Sequence, residues 1–504
     1  MKIKGSKTFR EDFLELRDPE IGKARIKDAL RDKEDNHLEE YLTPWYRISK
    51  EAKFVFPSQG LLTTPYDYLE HTSFQMLPQE SLVFTLRLRR FFLEMFNHPY
   101  RIQFLDEANS NKFTAPPKVN CDVMENSLAT GLSLSIGDLG AGITGSDKER
   151  ISRTDRYAAG PFVKLGRQAR TFFVGSASPD VWNSAAAIST MAASHCLTAI
   201  PRNGVLYDIK RQSLVAKETF AWIDRIADEI LTGRRDKQKL IKYWKANVAG
   251  TLEGNPESAL KRAQELYKAG VRTFRIYSPE PGSGPVLTIK VLRKKYKDEV
   301  EIFAGQIVDV DQAKRAEELG ADGIFVGIGG GGRCITGVRS GSLVDWPELL
   351  WKLRGGINIP VIVEGGASDH VAVTLLLGAS GIGVSRVVSG GTIESPGGAL
   401  FCANKEGKLF KPYGGEASAR TKFLDLKLLP FDTASFVEGE TTKAEMNYVK
   451  HSAPTLTYNL HLLLEDAVLA LVFRGANNLY ELHTINPSPI KRITGAGDFQ
   501  KNTH

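Results

Sequence analysis

The chain has 504 residues, 25% of them charged and 42% hydrophobic, with a formal net charge of +7 at pH 7. That length and mixture suit a globular protein of roughly two or three domains with a sizeable buried core. No run of about 18 apolar residues stands out as a bilayer span, and the opening MKIKGSKTFREDF has no hydrophobic stretch like that of a secretory signal, so a cytoplasmic protein with no membrane partner is expected.

Basic residues are interspersed with acidic ones instead of forming a block, which gives no prompt for nucleic acid and suits a small phosphorylated ligand. The four cysteines, Cys121, Cys196, Cys334 and Cys402, are far apart and form no C-x-x-C pair. This argues against a disulfide scaffold or a zinc knuckle, so a cysteine that matters should act as a thiol.

Residues 1–165 read as a mostly helical N-terminal extension whose fold the sequence leaves unassigned. It has a charged helical opening, a proline-studded middle and a basic apolar stretch, LVFTLRLRRFFLEMF. Near its end LATGLSLSIGDLGAGITG is glycine-rich, a pattern shared by connectors and phosphate cradles.

Residues 166–504 form the second unit. Short apolar runs recur there: TFFVGS (171–176), LTAIP (197–201), ANVAGT (246–251), TFRIYS (273–278), EIFAGQ (301–306), GIFVGIG (323–329), PVIVEGG (360–366) and GIGVSR (381–386). Runs of continuous apolar character suit a parallel sheet covered on its outer face. Between them SALKRAQELYKAG, VDQAKRAEELGA and DHVAVTLLLGAS carry helical spacing and end on a small residue. Eight βα repeats predict an α/β protein, a (β/α)₈ TIM barrel. An open doubly wound sheet is the alternative, but it would more often place a G-x-G-x-x-G turn after an early strand, and here the glycine-rich turns follow the sixth, seventh and eighth runs.

Catalytic groups of such barrels lie at the C-terminal ends of the strands, and phosphate is often held after the seventh and eighth. After the seventh run come Gly365 and Gly366, where backbone N–H groups can approach an anion, and after the eighth come Ser385 and Arg386, whose guanidinium can meet a phosphate bidentately. The competing reading makes the glycines plain turns and pairs Arg386 with a nearby acid. After the sixth run, Gly327-Ile328-Gly329-Gly330-Gly331-Gly332-Arg333-Cys334-Ile335-Thr336 contains four consecutive glycines, each costing about 0.5–1 kcal/mol of extra ordering entropy. A thiol on such a loop beside Arg333 is expected to have a lowered pKa and to act as a nucleophile.

At these residues the chain resembles the IMP dehydrogenase/GMP reductase family. The likeness covers roughly residues 170–490 and includes GSASPDVWNSAAAISTMAAS, FAGQIVDVDQAKRAEELGADGIFVGIG, PVIVEGGAS, GTIESPGG, KPYGGEAS and VEGETT. It implies that Cys334 attacks C2 of a purine nucleotide, that Thr336 is its hydroxyl partner, and that Glu438 contacts the base and assists departure of ammonia. It places the substrate among Ser176, Gly332, Arg333, Glu364, Gly365, Gly366, Ser385, Arg386, Tyr413, Gly415 and Glu416. Tyr277, Ser278, Gln306, Gly327 and Gly329 fall on the nicotinamide side, and backbone groups of Gly329 and Gly331 are candidates to hold a monovalent cation, K+. A homotetramer is the implied assembly.

Two features lean toward the reductase branch. No regulatory pair of CBS domains lies between the second and third strands, and the segment from Tyr413 to Glu438 is short and lacks the Arg-Tyr pair of the dehydrogenases. The leading expectation is therefore reduction of GMP by NADPH to IMP and ammonia, with oxidation of IMP by NAD as the alternative.

The chain also departs from the family pattern. Gly332 replaces a phosphate-binding serine, Arg386 a glycine, Glu364 the ribose-binding aspartate, Tyr277 an aspartate near the nicotinamide, Gln306 an asparagine and Glu416 a methionine facing the base. Either the nicotinamide site is rebuilt or the dinucleotide is not the co-substrate. Thiol chemistry on another nucleotide without redox, a flavin-binding barrel and a non-catalytic nucleotide sensor are the further readings.

Overall fold

The computed structural model describes residues 73–130, 153–176, 178–203, 208–278, 283–328, 334–424, 427, 429–430, 435–446, 454–492 and 495–496. The charged opening, most of the glycine-rich stretch before the barrel, and Gly329–Arg333 lie outside them.

Strand β1 (Ser73–Met76) and the hairpin β2 (Phe162–Leu165) and β3 (Gln168–Thr171) precede eight parallel strands. These are β4 (Phe173–Gly175), β5 (Thr198–Ile200), β6 (Val248–Leu252), β7 (Thr273–Tyr277), β8 (Glu301–Ile307), β9 (Gly323–Val326), β10 (Val361–Val363) and β11 (Gly381–Val384). They pair in chain order, and β11 closes on β4 through Ile382↔Phe173, Gly383↔Val174 and Val384↔Gly175. All eight runs read from the sequence are barrel strands, with ends that differ by up to three residues.

The lumen is a packed core, as in other barrels of this type. Val174, Ala199, Ala249, Phe303, Phe325 and Ile362 meet there, and Leu165 from the β2–β3 hairpin packs with them. Beside the hairpin Arg170, wholly buried, meets Glu301 at 2.5 Å and donates to the Ala246 carbonyl. Glu301 also accepts from the Arg167 amide and the Thr273 hydroxyl, and the guanidinium holds its carboxyl below the usual range despite burial.

Helices cover the outside by ordinary amphipathic logic. The helix Ile209–Ile230 buries Val215, Ala216, Thr219, Trp222, Ile223, Ile226 and Ala227, spaced three and four apart, and Asp208 caps it by accepting from the Lys210 and Arg211 amides.

The basic apolar stretch left unassigned by sequence forms the helix Gln79–Phe96, which packs against the C-terminal helix Leu456–Phe473. Phe92 stacks on His461 at 4.7 Å and leans on Tyr458 at 5.3 Å. Leu456–Phe473 has a mean hydropathy of 1.4 and is long and apolar enough to cross a membrane, which the reading of the sequence overlooked. Half of it is buried inside this fold, where Leu456, Leu460, Leu464, Ala467 and Leu471 enter the core. A small antiparallel sheet, in the order β1, β12 (Leu400–Ala403), β13 (Leu409–Gly414), β14 (Thr441–Glu445), carries Tyr413 and leads the chain back toward the barrel mouth.

Candidate active site

The groups at the C-terminal ends of the barrel strands fall into three connected parts. At the first, β11 ends in Ser385, whose hydroxyl lies 2.6 Å from that of Ser176 after β4 and accepts from the Trp182 indole N–H at 3.1 Å. The Ser176 amide is tied to the Val384 carbonyl. Gly365 and Gly366 follow β10 with φ of 91° and 78°, a left-handed pair open only to residues without a β-carbon strain. Arg386 lies 5.8 Å over the ring of Tyr413. Tyr413 is held from β13, where the Gly414 amide donates to Asp180 and the Gly414 carbonyl accepts from Ser178. Burial pushes the Tyr413 hydroxyl up, against the pull of Ser178, Arg386 and Ser385. Hydroxyls, glycine amides and an arginine thus lie at the ends of neighbouring strands, the groups an anion seat demands.

The second part is a group of buried polar side chains beside it. Glu364, at the end of β10, meets the Arg275 guanidinium of β7 at 2.5 Å, and its same oxygen, Oε2, accepts from Gln306 Nε2 at 2.9 Å. The Arg275 guanidinium lies over the Phe325 ring at 4.3 Å and the Tyr277 ring at 5.1 Å. Gly383 separates this group from the anion seat. A β-carbon there would lie 2.8 Å from Glu364 Cγ and 3.1 Å from Ser176 Cβ, so the missing side chain is what lets the two approach. Gly327, at φ 119°, presses on the Glu364 backbone, and a β-carbon would strike its carbonyl oxygen.

The third part is the thiol. Cys334 is half-buried, and its Sγ lies 3.2 Å from the Thr336 hydroxyl. The segment carrying Glu438 lies between the cysteine loop and Ser418. The Ile335 amide donates to the Glu438 carbonyl, the Glu438 amide donates to the Ala417 carbonyl, and Gly439 bridges both Cys334 and Ser418. Arg339 and Lys422 clamp the same segment through the carbonyls of Val437 and Phe436. Burial lowers the Lys422 ammonium, and the neighbouring Glu438 carboxylate opposes that shift. Residues 98 apart in the chain, Arg339 and Val437, are thereby joined beside Cys334.

Over the mouth Glu416 is half-buried and accepts from Asn203, with Arg202 at 3.5 Å. Burial raises its carboxyl, partly offset by Arg202, Arg275 and Lys427. Tyr277 is pushed up by burial and by Glu416 and Glu364, and its carbonyl accepts from Arg202.

The structure therefore joins Ser176 to Ser385 and Arg386 to Tyr413, sets Glu364 and Ser176 on either side of Gly383, and joins Cys334 to Thr336 and to the Glu438 segment, with Gly365 and Gly366 following Glu364. Gln306 turns its amide onto Glu364, and Gly327 packs closely against the Glu364 backbone. Gly329, Gly331, Gly332 and Arg333 lie outside the described residues, and the cation seat with them. Sequence reasoning missed Arg202, Asn203, Arg275 and Lys422. A signal existed for Arg275, since a cation at the centre of the apolar run TFRIYS has nowhere to point but outward to a helix or inward to the site.

A family model described as the IMP dehydrogenase / GMP reductase domain matches residues 174–504. Among curated relatives, inosine-5′-monophosphate dehydrogenase 1 of Arabidopsis thaliana is 30% identical over 273 residues, covering 51% of this chain and 51% of that protein. The inosine-5′-monophosphate dehydrogenase of Helicobacter pylori (strain ATCC 700392 / 26695) is 32% identical over 300 residues, 55% of this chain and 59% of its own length. That of Nitrosopumilus maritimus is 34% identical over 202 residues, 38% and 41% of the two chains. The chain spans about half the length of the curated relatives it matches.

Proposed function

Because the chain belongs to the IMP dehydrogenase/GMP reductase family, we propose that it is a purine-nucleotide oxidoreductase in which Cys334 forms a covalent bond to C2 of the base. The observation that carries this reading is the approach of Cys334 Sγ to Thr336 Oγ1 at 3.2 Å, on a loop fastened to the Glu438 segment and facing the same mouth as the anion seat. The 5′-phosphate takes Ser176, Ser385, Arg386 and the Gly365–Gly366 amides, the ribose takes Glu364, and C2 is presented to the thiol.

The transformation proposed first is oxidation of IMP to XMP, because the relatives named above are IMP dehydrogenases. The thiolate adds to C2, the C2 hydrogen leaves as hydride, and water then displaces the sulfur from the thioimidate. Covalent capture divides one hard step into two. Tyr277 and Ser278, at the end of β7, are the groups here that suit the border of a nicotinamide, a flat ring beside a buried aromatic and a hydroxyl; bound there, NAD would supply the hydride acceptor. The Cys334 thiol donates a hydrogen bond to Thr336 Oγ1, which orients the sulfur toward the base.

Reduction of GMP is the second reading, favoured by Glu438, which the backbone bonds from Ile335 and Ala417 hold beside the cysteine loop. A carboxylate there suits proton transfer to departing ammonia.

Intact-protein mass spectrometry and absorbance at 340 nm, with IMP plus NAD and with GMP plus NADPH, test both. Cys334-dependent NADH formation from IMP supports the first reading, and NADPH loss with GMP transfers the protein to the second. No adduct and no absorbance change with either pair overturns the oxidoreductase reading.

A further inference from the structure

Inside the proposed nucleotide site a linked cluster of buried polar atoms is left incomplete by the protein. Arg275 is 1% exposed, Gln306 3% and Glu364 7%. Glu364 Oε2 accepts from both neighbours, yet Glu364 Oε1, Gln306 Oε1, and Nε and Nη1 of Arg275 have no hydrogen-bond partner. Buried polar groups are nearly always satisfied, and leaving one unpaired is costly. Four in one linked trio mark a place built for a ligand that brings both acceptors and donors.

The arrangement dictates what that ligand part can be. An unshared carboxylate has two oxygens able to accept from both hydroxyls of a cis-diol. Here Glu364 commits Oε2 to Arg275 and Gln306, which leaves Oε1 for one hydroxyl. The carbonyl of Gln306, on the side chain that tethers Glu364, is the second unpaired acceptor. The space is adjacent to the anion seat, since only Gly383 separates Glu364 from Ser176. A sugar attached to a phosphate at Ser176 and Ser385 must therefore pass this trio before its base reaches Cys334.

We propose that ribose recognition is divided between Glu364 Oε1 and Gln306 Oε1, with Arg275 as the positioning residue that orients Glu364, and that this trio selects ribonucleotides over deoxyribonucleotides. The inference rests on the nucleotide reading above and reassigns Gln306 from the nicotinamide side to the sugar. Arg275 acts through Glu364. Its guanidinium lies over the Phe325 and Tyr277 rings, which hold it in place, and its Nη2 sets where Oε2 lies. Oε1 is thereby aimed by packing from two other strands.

Calorimetric binding of IMP, 2′-deoxy-IMP and 3′-deoxy-IMP to the full chain tests this without requiring turnover. The wild type is expected to lose about tenfold or more in affinity for each missing hydroxyl, the worth of one hydrogen bond to a charged or buried acceptor. Gln306→Met, which keeps volume and removes the acceptor, should abolish discrimination at one hydroxyl and keep it at the other. Arg275→Met should weaken IMP and flatten both ratios, and Arg275→Lys should restore part of each. If Arg275→Met does not fold, Gln306→Met and Arg275→Lys still decide the matter. Unchanged ribose-to-deoxyribose ratios in these variants overturn the division of labour while leaving the nucleotide reading intact. A wild type that binds none of the three nucleotides overturns both.

Discussion

Replacing Ser385 by alanine removes one oxygen, and the structure allows its effect to be worked out. That hydroxyl accepts from the buried Trp182 N–H at 3.1 Å and lies 2.6 Å from the Ser176 hydroxyl. With a nucleotide bound it would also donate to a phosphate oxygen, a charge-assisted bond of about 1.5–3 kcal/mol. The Trp182 donor is orphaned in the bound and free protein alike, so that cost of about 1–3 kcal/mol falls on stability and cancels from the binding comparison. The net expectation is a Kd for IMP raised by roughly 10- to 150-fold. Inosine, which lacks the phosphate, should bind Ser385→Ala and wild type nearly alike. The two proteins and two ligands form a thermodynamic cycle whose coupling term isolates the phosphate contact. Calorimetric titration of all four combinations measures it. Equal losses for IMP and inosine would refute the anion seat and make Ser385 a purely structural partner of Trp182.

Cys334→Ser should eliminate any covalent nucleotide adduct in intact mass spectra and lower turnover by at least about 10³-fold, while calorimetry shows nucleotide binding retained. Gly383→Ala, at a position without left-handed backbone, is expected to fold but to push Glu364 from Ser176, weakening IMP by about tenfold or more in the same titration. Glu301→Gln leaves the buried Arg170 without its counter-charge, and urea denaturation should show a loss of about 3–5 kcal/mol. The pH dependence of that pair follows from the lowered native pKa of Glu301 against its ordinary 4.5. Its contribution is complete above about 4.5 and fades as the pH falls through the depressed native value. Stability of the wild type should therefore drop more steeply with acid than that of Glu301→Gln.

All eight barrel strands were legible in the sequence because each is a short apolar run bounded by turn residues, and that signal is local. The cysteine loop was legible for a related reason. Glycines at 329–332 followed by Cys334 and Thr336 put thiol and hydroxyl two residues apart, so their 3.2 Å approach needs only the loop's own geometry. Likewise Gly365–Gly366 and Ser385 could be read from their places after the seventh and eighth strands.

What the tertiary structure decided are contacts between distant residues. The bond from Arg275 to Glu364 spans 89 positions and that from Gln306 to Glu364 spans 58. No periodicity within a strand says which inward residue of one strand faces which of another, because barrel closure and stagger set that. The same holds where Gly439 bridges Cys334 and Ser418, and where the helix Gln79–Phe96 covers the apolar face of Leu456–Phe473. Local pattern determined which elements form and which candidate residues stand at the strand ends. Closure of the barrel determined their partners, since a side chain's neighbours across the lumen are fixed by three-dimensional register and not by distance along the chain.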